Sequence, residues 1–451
     1  MKIRFLFTLF LCLALCTSSM AADNTQILDI EKTLDGSAQD FDIEDIMDGF
    51  DDTIDSRETV SAEPFDISEE TPSFRDFLSG FFKISSAFNF AHKAPESGKT
   101  DYRGISRLRG ELDLKLDFPL SEKWKARIGG NVKHDAAYGL NGRGNYTDAV
   151  LDDFETEAEF REIFIQGSLL ADLDIKIGRQ IVAWGTSESI RVIDILNPLD
   201  IREFGMVDIE DLRLPLAMTR LDYYSGRWTI TGIAVHEIKF NKTPPYGSDF
   251  YPAESFLPPE KMPATAIKNT EFALAAIGRF SGWDLTFHAA SFYNDDTHLK
   301  SDAYYTRMIQ KHSRLNMLGS TIVAAKDNWL FKTEAAALYG FEFFYAPDDK
   351  KTRLDIMAGI EYAGFSETTI TFEAVNRHLF GWNEMLSKSF DNTDEDEIQS
   401  VLRISRDFKN DTLNLTLLAG FMGETGQDGS FQRFSFEYDW TDDFKIIGGC
   451  I

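Results

Sequence analysis

The chain has 451 residues with 46 Lys+Arg against 74 Asp+Glu, and its net charge of −28 excludes a nucleic-acid phosphate partner. Its 38 Phe against 13 Pro exclude a generally disordered polymer, and cysteines only at positions 12, 16 and 450 exclude a disulfide framework or a cysteine-based zinc site. The first element is a secretory signal peptide, residues 1–21. Lys2 and Arg4 precede an apolar run from Phe5 to Cys16, and Ser19-Met20-Ala21 supplies small residues for cleavage after Ala21. Leu11 and Leu15 stand before Cys12 and Cys16, where a lipoprotein needs a small residue.

Residues 22–78 follow as an acidic periplasmic arm. Positions 23–70 carry 17 acidic side chains against two basic ones, Lys32 and Arg57, and bury too little apolar surface to offset their ordering entropy. Within the arm, Ile43, Ile46, Met47, Phe50 and Ile54 fall at helical spacing, so a short amphipathic helix is expected over 43–54. Two readings stay open: local packing or chance spacing, or docking into the groove of a periplasmic or exporter partner.

From about residue 79 onward the period is two. In Leu108 to Phe118 apolar residues alternate with charged ones, and the pattern repeats through Trp124, Ala126, Ile128, Gly130 and Val132. Seventeen such segments are expected, near 80–92, 105–118, 123–136, 156–168, 172–180, 215–224, 227–239, 271–280, 283–293, 313–324, 329–341, 352–362, 367–375, 398–408, 412–423, 430–439 and 444–451. Tight turns follow the even-numbered segments and longer connections follow most odd-numbered ones. After the signal the longest stretch free of Asp, Glu, Lys and Arg is Thr412 to Gly423, too short for a membrane helix.

Alternating long and short loops with one apolar and one charged face predict an all-β fold: a transmembrane antiparallel barrel of about 16–18 strands over 79–451, with outer-membrane lipids and the barrel assembly machinery as partners. On this register Arg109, Glu111, Asp113, Lys115, Lys125, Arg127 and Lys133 face the lumen, while Leu112, Leu114, Ile128 and Val132 face lipid. Trp124, Trp228, Trp283, Trp329 and Trp440 are expected in interfacial girdles, ordinary packing being the alternative for each. Seventeen strands leave the last one pointing outward, so a closing C-terminal strand is expected to be missing; a miscount by one is the alternative.

The segment from Gly178 to Met218 differs from every other connection in being rich in Ile, Leu and Val. Its Gly178-Arg179-Gln180, Trp184-Gly185, Asp194, Asn197-Pro198-Leu199-Asp200 and Arg213-Leu214-Pro215 resemble the motif of an outer-membrane β-barrel family catalogued as domain of unknown function 1302. The likeness takes in the Gly49-Phe50-Asp51-Asp52 arm and the alternating strands; only the loop motif is specific. It implies a channel-like outer-membrane protein, often encoded beside exporters of the resistance-nodulation-division type, with no established substrate.

From the residues alone, Ile190 to Leu196 is expected to form a helical turn ended by Asn197-Pro198, with the loop packed into the barrel mouth. Arg179, Arg191, Asp194, Asp200, Arg202, Asp208, Asp211 and Arg213 would then form a charged constriction. The alternative is a loop pinned to the inner wall by ion pairs without a selectivity role. Strand parity by itself turns Arg179 towards lipid.

No Gly-x-Ser-x-Gly, His-Glu-x-x-His or P-loop motif occurs, and the seven histidines are scattered singly. Asp391 to Glu397 crowds carboxylates but lacks the glycine and final Glu of a calcium loop, so neither a metal nor a cofactor is expected. The composite expectation is a non-enzymatic outer-membrane channel passing small, and in one form hydrophobic, molecules. A structural or adhesive barrel, or a barrel-embedded hydrolase, are the alternatives.

Overall fold

The computed structural model describes residues 3–9, 77–95, 99–203, 205–206, 209–251, 257–301, 307–388 and 390–451. Eighteen strands form one sheet: β1 (Ile3–Leu9), β2 (Leu78–Asn89), β3 (Gly104–Ser121), β4 (Trp124–Asp135), β5 (Thr156–Leu170), β6 (Leu173–Gln180), β7 (Leu216–Ser225), β8 (Trp228–Val235), β9 (Glu271–Phe280), β10 (Trp283–Ser301), β11 (Met308–Lys326), β12 (Trp329–Phe343), β13 (Ala346–Phe365), β14 (Thr368–Phe380), β15 (Asp396–Phe408), β16 (Leu413–Met422), β17 (Gly429–Thr441) and β18 (Phe444–Cys450). The amphipathic segment over 43–54 lies outside the described residues.

β2 to β18 pair antiparallel in strict chain order, so the seventeen expected segments are seventeen strands of one meander. This series does not close on itself. An odd number of alternating strands leaves β2 and β18 running the same way, and β1 lies between them, parallel to both.

At one end the connections are tight because the backbone enters the left-handed region, as at Gly226 (φ 62°) and Gly282 (φ 79°). Trp124, Trp228, Trp283 and Trp329 each open a strand directly after such a turn, and Trp440 lies one residue before the end of β17, so all five sit at this end. Trp283 stacks on Phe280 at 4.3 Å and Trp329 meets Tyr362 at 4.3 Å. At the other end β10, β11 and β13 run well past the expected boundaries, and His298 still pairs with Lys311 beyond a bulge after Tyr293. Outside a membrane both strand faces are wet, so the apolar alternation that marked these strands fades while backbone pairing continues.

Alternation sorts side chains to the two sides of the wall. Leu112, Leu114, Ile128 and Val132 are exposed on the outer face, while Arg109, Asp113, Asn131 and Asp135 are buried on the inner one. The interior is not polar all round, however. Across β7 to β14 the inward set includes an apolar band, with Met218, Val235, Ala275, Phe292, Met317 and Met357 among its members, set among buried charges such as Lys332, Glu334, Asp355 and Glu373. Where this band crosses a strand both faces are apolar, which period-two reading does not separate from a lipid-facing pattern.

Candidate pore-lining loop

The chain leaves the wall at the end of β6. Gly178 has φ 132°, and a Cβ there would lie 2.1 Å from the Ile163 carbonyl oxygen, so only glycine lets β5 and β6 approach. Two residues on, the fully buried Gln180 donates through Nε2 to the Met218 carbonyl at 3.2 Å. From here residues 181–215 enter the barrel.

The first half of the loop lays Val182, Trp184, Ile190, Val192, Ile193 and Leu196 on the apolar wall of β7 to β14, forming one buried cluster with it. The expected helical turn over 190–196 is absent. Side chains instead hold the backbone of the segment: Asp194 Oδ1 accepts from Trp184 N at 3.1 Å, Asn197 Oδ1 from Val182 N at 2.8 Å and Glu334 Oε2 from Ile193 N at 3.3 Å. Asn197 also donates to the Leu214 carbonyl at 2.8 Å, and Leu214 N donates to the Pro198 carbonyl at 2.7 Å, closing the loop into a double layer.

Between the two apolar halves of that cluster, Gly185 to Ser189 turns its backbone N–H groups onto two inner-wall carboxylates. Glu334 on β12 accepts from Thr186 N, from Thr186 Oγ1 at 3.0 Å and from Ser187 N at 3.0 Å. Glu373 on β14 accepts from Ser187 Oγ at 2.7 Å, Ser189 N at 3.1 Å and Glu188 N at 3.2 Å. Glu188 in turn pairs with Lys332 at 2.5 Å, and the Lys332 side chain is fully buried.

The second half crosses to the opposite wall. Arg202 pairs with Asp200 at 2.5 Å and with Glu157 of β5 at 2.8 Å, and Glu157 also binds Lys133 of β4 and Lys242. Glu203 pairs with Arg107 and, at 3.0 Å, with Arg109, both on β3. The Gly205 carbonyl accepts from Arg433 of β17 at 3.2 Å. Burial pushes the Glu203 carboxyl up, but Arg107 and Arg109 outweigh it and hold it well below the usual carboxylate range. Asp200 is likewise lowered, its burial outweighed by Arg202, and Arg202 is raised above an ordinary guanidinium by Asp200 and Glu157 despite its own burial.

The charges expected at a constriction thus separate into groups. Arg191, Asp194 and Arg213 meet in one cluster, with Arg213 Nε donating to Asp194 at 3.0 Å and Arg191 3.9 Å from Asp295. Asp200 and Arg202 belong to a second. Arg202 and Arg213 are only 4% and 8% exposed and are spent on carboxylates, so they brace the loop and face no open lumen. Arg179 stands apart, on the outward parity beside the exposed Ile177; it donates to the Phe160 and Pro215 carbonyls and pairs with Glu237 at 3.2 Å, so it is no part of a lumenal ring. Asp211 is exposed on the short helix Ile209–Leu212, and Asp208 lies outside the described residues.

On β3 and β4, Arg109 and Asp113 are buried inward, Glu111 accepts from Asn131 at 2.7 Å, and Lys133 pairs with Glu157 at 2.7 Å. Arg127 pairs with Asp117 at 2.7 Å and Glu162 at 3.1 Å, and Lys115 and Lys125 share its parity, Lys125 nearer the tight turn and Lys115 farther from it. Sequence reasoning missed Glu334, Glu373, Lys332, Glu188 and Glu203. The available signal was charge set inside otherwise apolar strands, as in Trp329 to Tyr339 and Ile370 to Val375.

An apolar outer belt, tight turns ringed by tryptophan at one end and an ion-paired interior define a transmembrane β-barrel of the outer-membrane type. The chain belongs to the family described as "Protein of unknown function (DUF1302)", whose model matches residues 6–439. No curated protein matches it. Among solved structures it is similar to OpdK of Pseudomonas aeruginosa, crystallised with vanillate, at 10% identity and a TM-score of 0.43, over 75% of this chain and 85% of that one. It is also similar to OccK2 (OpdF) of Pseudomonas aeruginosa, at 12% identity and a TM-score of 0.42 over 74% and 80%, and to the outer membrane channel DcaP of Acinetobacter baumannii, at 10% and 0.39 over 79% and 93%. Likeness at this level carries no functional argument.

Proposed function

We propose that the protein is a passive outer-membrane channel for small solutes whose bore is set by residues 181–215. The observation that supports this reading is the path of the loop, which runs inside the barrel from the apolar wall of β7 to β14 across to β3, β5 and β17. A loop on that path narrows the interior, as the constriction of a pore does. On β15 and β16, Ser405, Asn414 and Thr416 form a hydrogen-bonded polar ladder at 2.9 to 3.1 Å, a surface that would suit the wall of a solute path.

The test is conductance. Purified protein in a planar bilayer should give discrete current steps, and a folded barrel that stays silent would overturn the reading. Partnership with an inner-membrane exporter is a finer part of the proposal, supported by the helical spacing of Ile43, Ile46, Met47, Phe50 and Ile54 in the acidic arm. Replacing these five with Ser should abolish cross-linking to that exporter without changing conductance.

A further inference from the structure

We propose that Glu334 and Glu373 are positioning residues of the channel, a pair of wall carboxylates whose task is to hold the loop and so fix the bore. This rests on the channel reading and adds to it the groups that control the constriction. Both side chains project inward from the wall, Glu334 from β12 in register with Thr321 and Met357, and Glu373 from β14 in register with Gly359 and Val401. Each is only 1% exposed. Gly359 brings the neighbouring charges together, since a Cβ there would stand 3.3 Å from Glu373 Cγ and 3.4 Å from Lys332 Cβ.

Their partners indicate what they are for. Among the described residues, every hydrogen bond to Glu334 comes from Thr186, Ser187 or Ile193, and every one to Glu373 comes from Ser187, Glu188 or Ser189. None ties one strand to the next. A carboxylate taken out of water and given donors only by a loop recovers its desolvation cost only while that loop is docked, which holds for Glu334, whereas Glu373 also has the charge of Lys332 on the wall beside it. Lys332 completes the arrangement by holding Glu188, and Arg403 on β15 lies 3.7 Å from the same carboxylate. The Trp184-Gly185 pair in the motif follows from this packing: Gly185 has φ 91°, and a Cβ there would lie 2.7 Å from Glu334 Oε1.

The pair Glu334→Gln and Glu373→Gln tests the assignment. Each amide keeps the side chain's size but turns an NH₂ towards a loop N–H, because both oxygens of each carboxylate accept from the loop. Single-channel conductance should rise roughly twofold with added open-channel noise. A tether isolates the loop as the cause: Ile193→Cys with Gly319→Cys in a Cys450→Ser background. An ideal Cβ at 319 stands 3.3 Å from Ile193 Cγ1, close to the roughly 3 Å between a Cβ and the far sulfur of a disulfide. Oxidising this pair in the double variant should return conductance to the wild-type value, and reduction should raise it again.

Hydrogen exchange at amides 186–189 and 193 gives a second readout that needs no current, with acceleration of about tenfold expected in the double variant. Wild-type conductance together with wild-type exchange in a heat-resistant double variant would overturn the proposal, as would an oxidised tether that leaves conductance high. Faster exchange in barrels that never conduct would sink the channel reading while upholding the carboxylates as the loop's anchor.

Discussion

Replacing Glu203 with Gln should free one end of the loop and leave the other in place. Glu203 bridges Arg107 and Arg109, whose side chains are only 12% and 9% exposed, so removing its charge leaves two buried guanidiniums short of a partner. Breaking one member of such a buried set costs about 3–5 kcal/mol, and because Arg109 keeps Asp135 at 3.4 Å the lower figure applies. About 3 kcal/mol corresponds to a roughly hundredfold shift in the opening equilibrium of the strut. The first half of the loop is anchored differently. Val182, Trp184, Ile190, Val192, Ile193 and Leu196 together contribute on the order of 10 kcal/mol of apolar burial, which loss of the strut does not touch. Hydrogen-exchange mass spectrometry should therefore show amides 203, 205 and 206 accelerating by about two orders of magnitude while 182–197 stay protected. Acceleration along the whole loop would refute this division into two independently held halves, and so would no change at 203, 205 and 206.

Acid should act through the same strut. Glu203 and Asp200 are both held below their ordinary values, so the stability they contribute is fully present above their unfolded pKa values near 4 and is lost as pH falls through the folded ones. Protection at 200–206 should be flat from pH 7 to about 5 and fall only below about 4, as exchange corrected for intrinsic rate would show. Gly178→Ala should lower the temperature at which the barrel loses heat-resistant mobility on a gel, since its Cβ meets the Ile163 carbonyl at 2.1 Å; an unchanged temperature would discount the close approach. Leu114→Arg on the lipid face should destabilise the barrel by ~2–4 kcal/mol in denaturant titration, whereas Lys115→Ala beside it should stay within about 0.5 kcal/mol.

The wall was legible in the sequence because a half-buried strand writes its two environments into alternate residues. Leu112 and Leu114 against Glu111 and Asp113 gave the register of β3 directly. Alternation stopped being informative where both sides of a strand share one environment: beyond the membrane in β10 to β13, and where the apolar inner band crosses β7 to β12. The loop's charges were visible, but their fates were not. Arg202 is settled by Glu157 and Ile193 N by Glu334, partners far away in sequence that only the curling of the meander brings within reach. The helical turn expected before Asn197-Pro198 gave way to long-range holds of the same kind, with Ile193 N on Glu334 and the Ile193 side chain in the apolar cluster of β7 to β14.

The apolar inner band carried by the hairpins from β7 onward has a consequence for assembly. A hairpin with one apolar face is safe once that face meets lipid, but these hairpins expose a second one towards water and invite mispairing or aggregation until it is covered. Residues 181–215 immediately precede β7 in the chain, so the cover arrives with the first of the strands that need it. A barrel deprived of the loop is therefore expected to accumulate as unfolded periplasmic chain, at a stage before any pore exists.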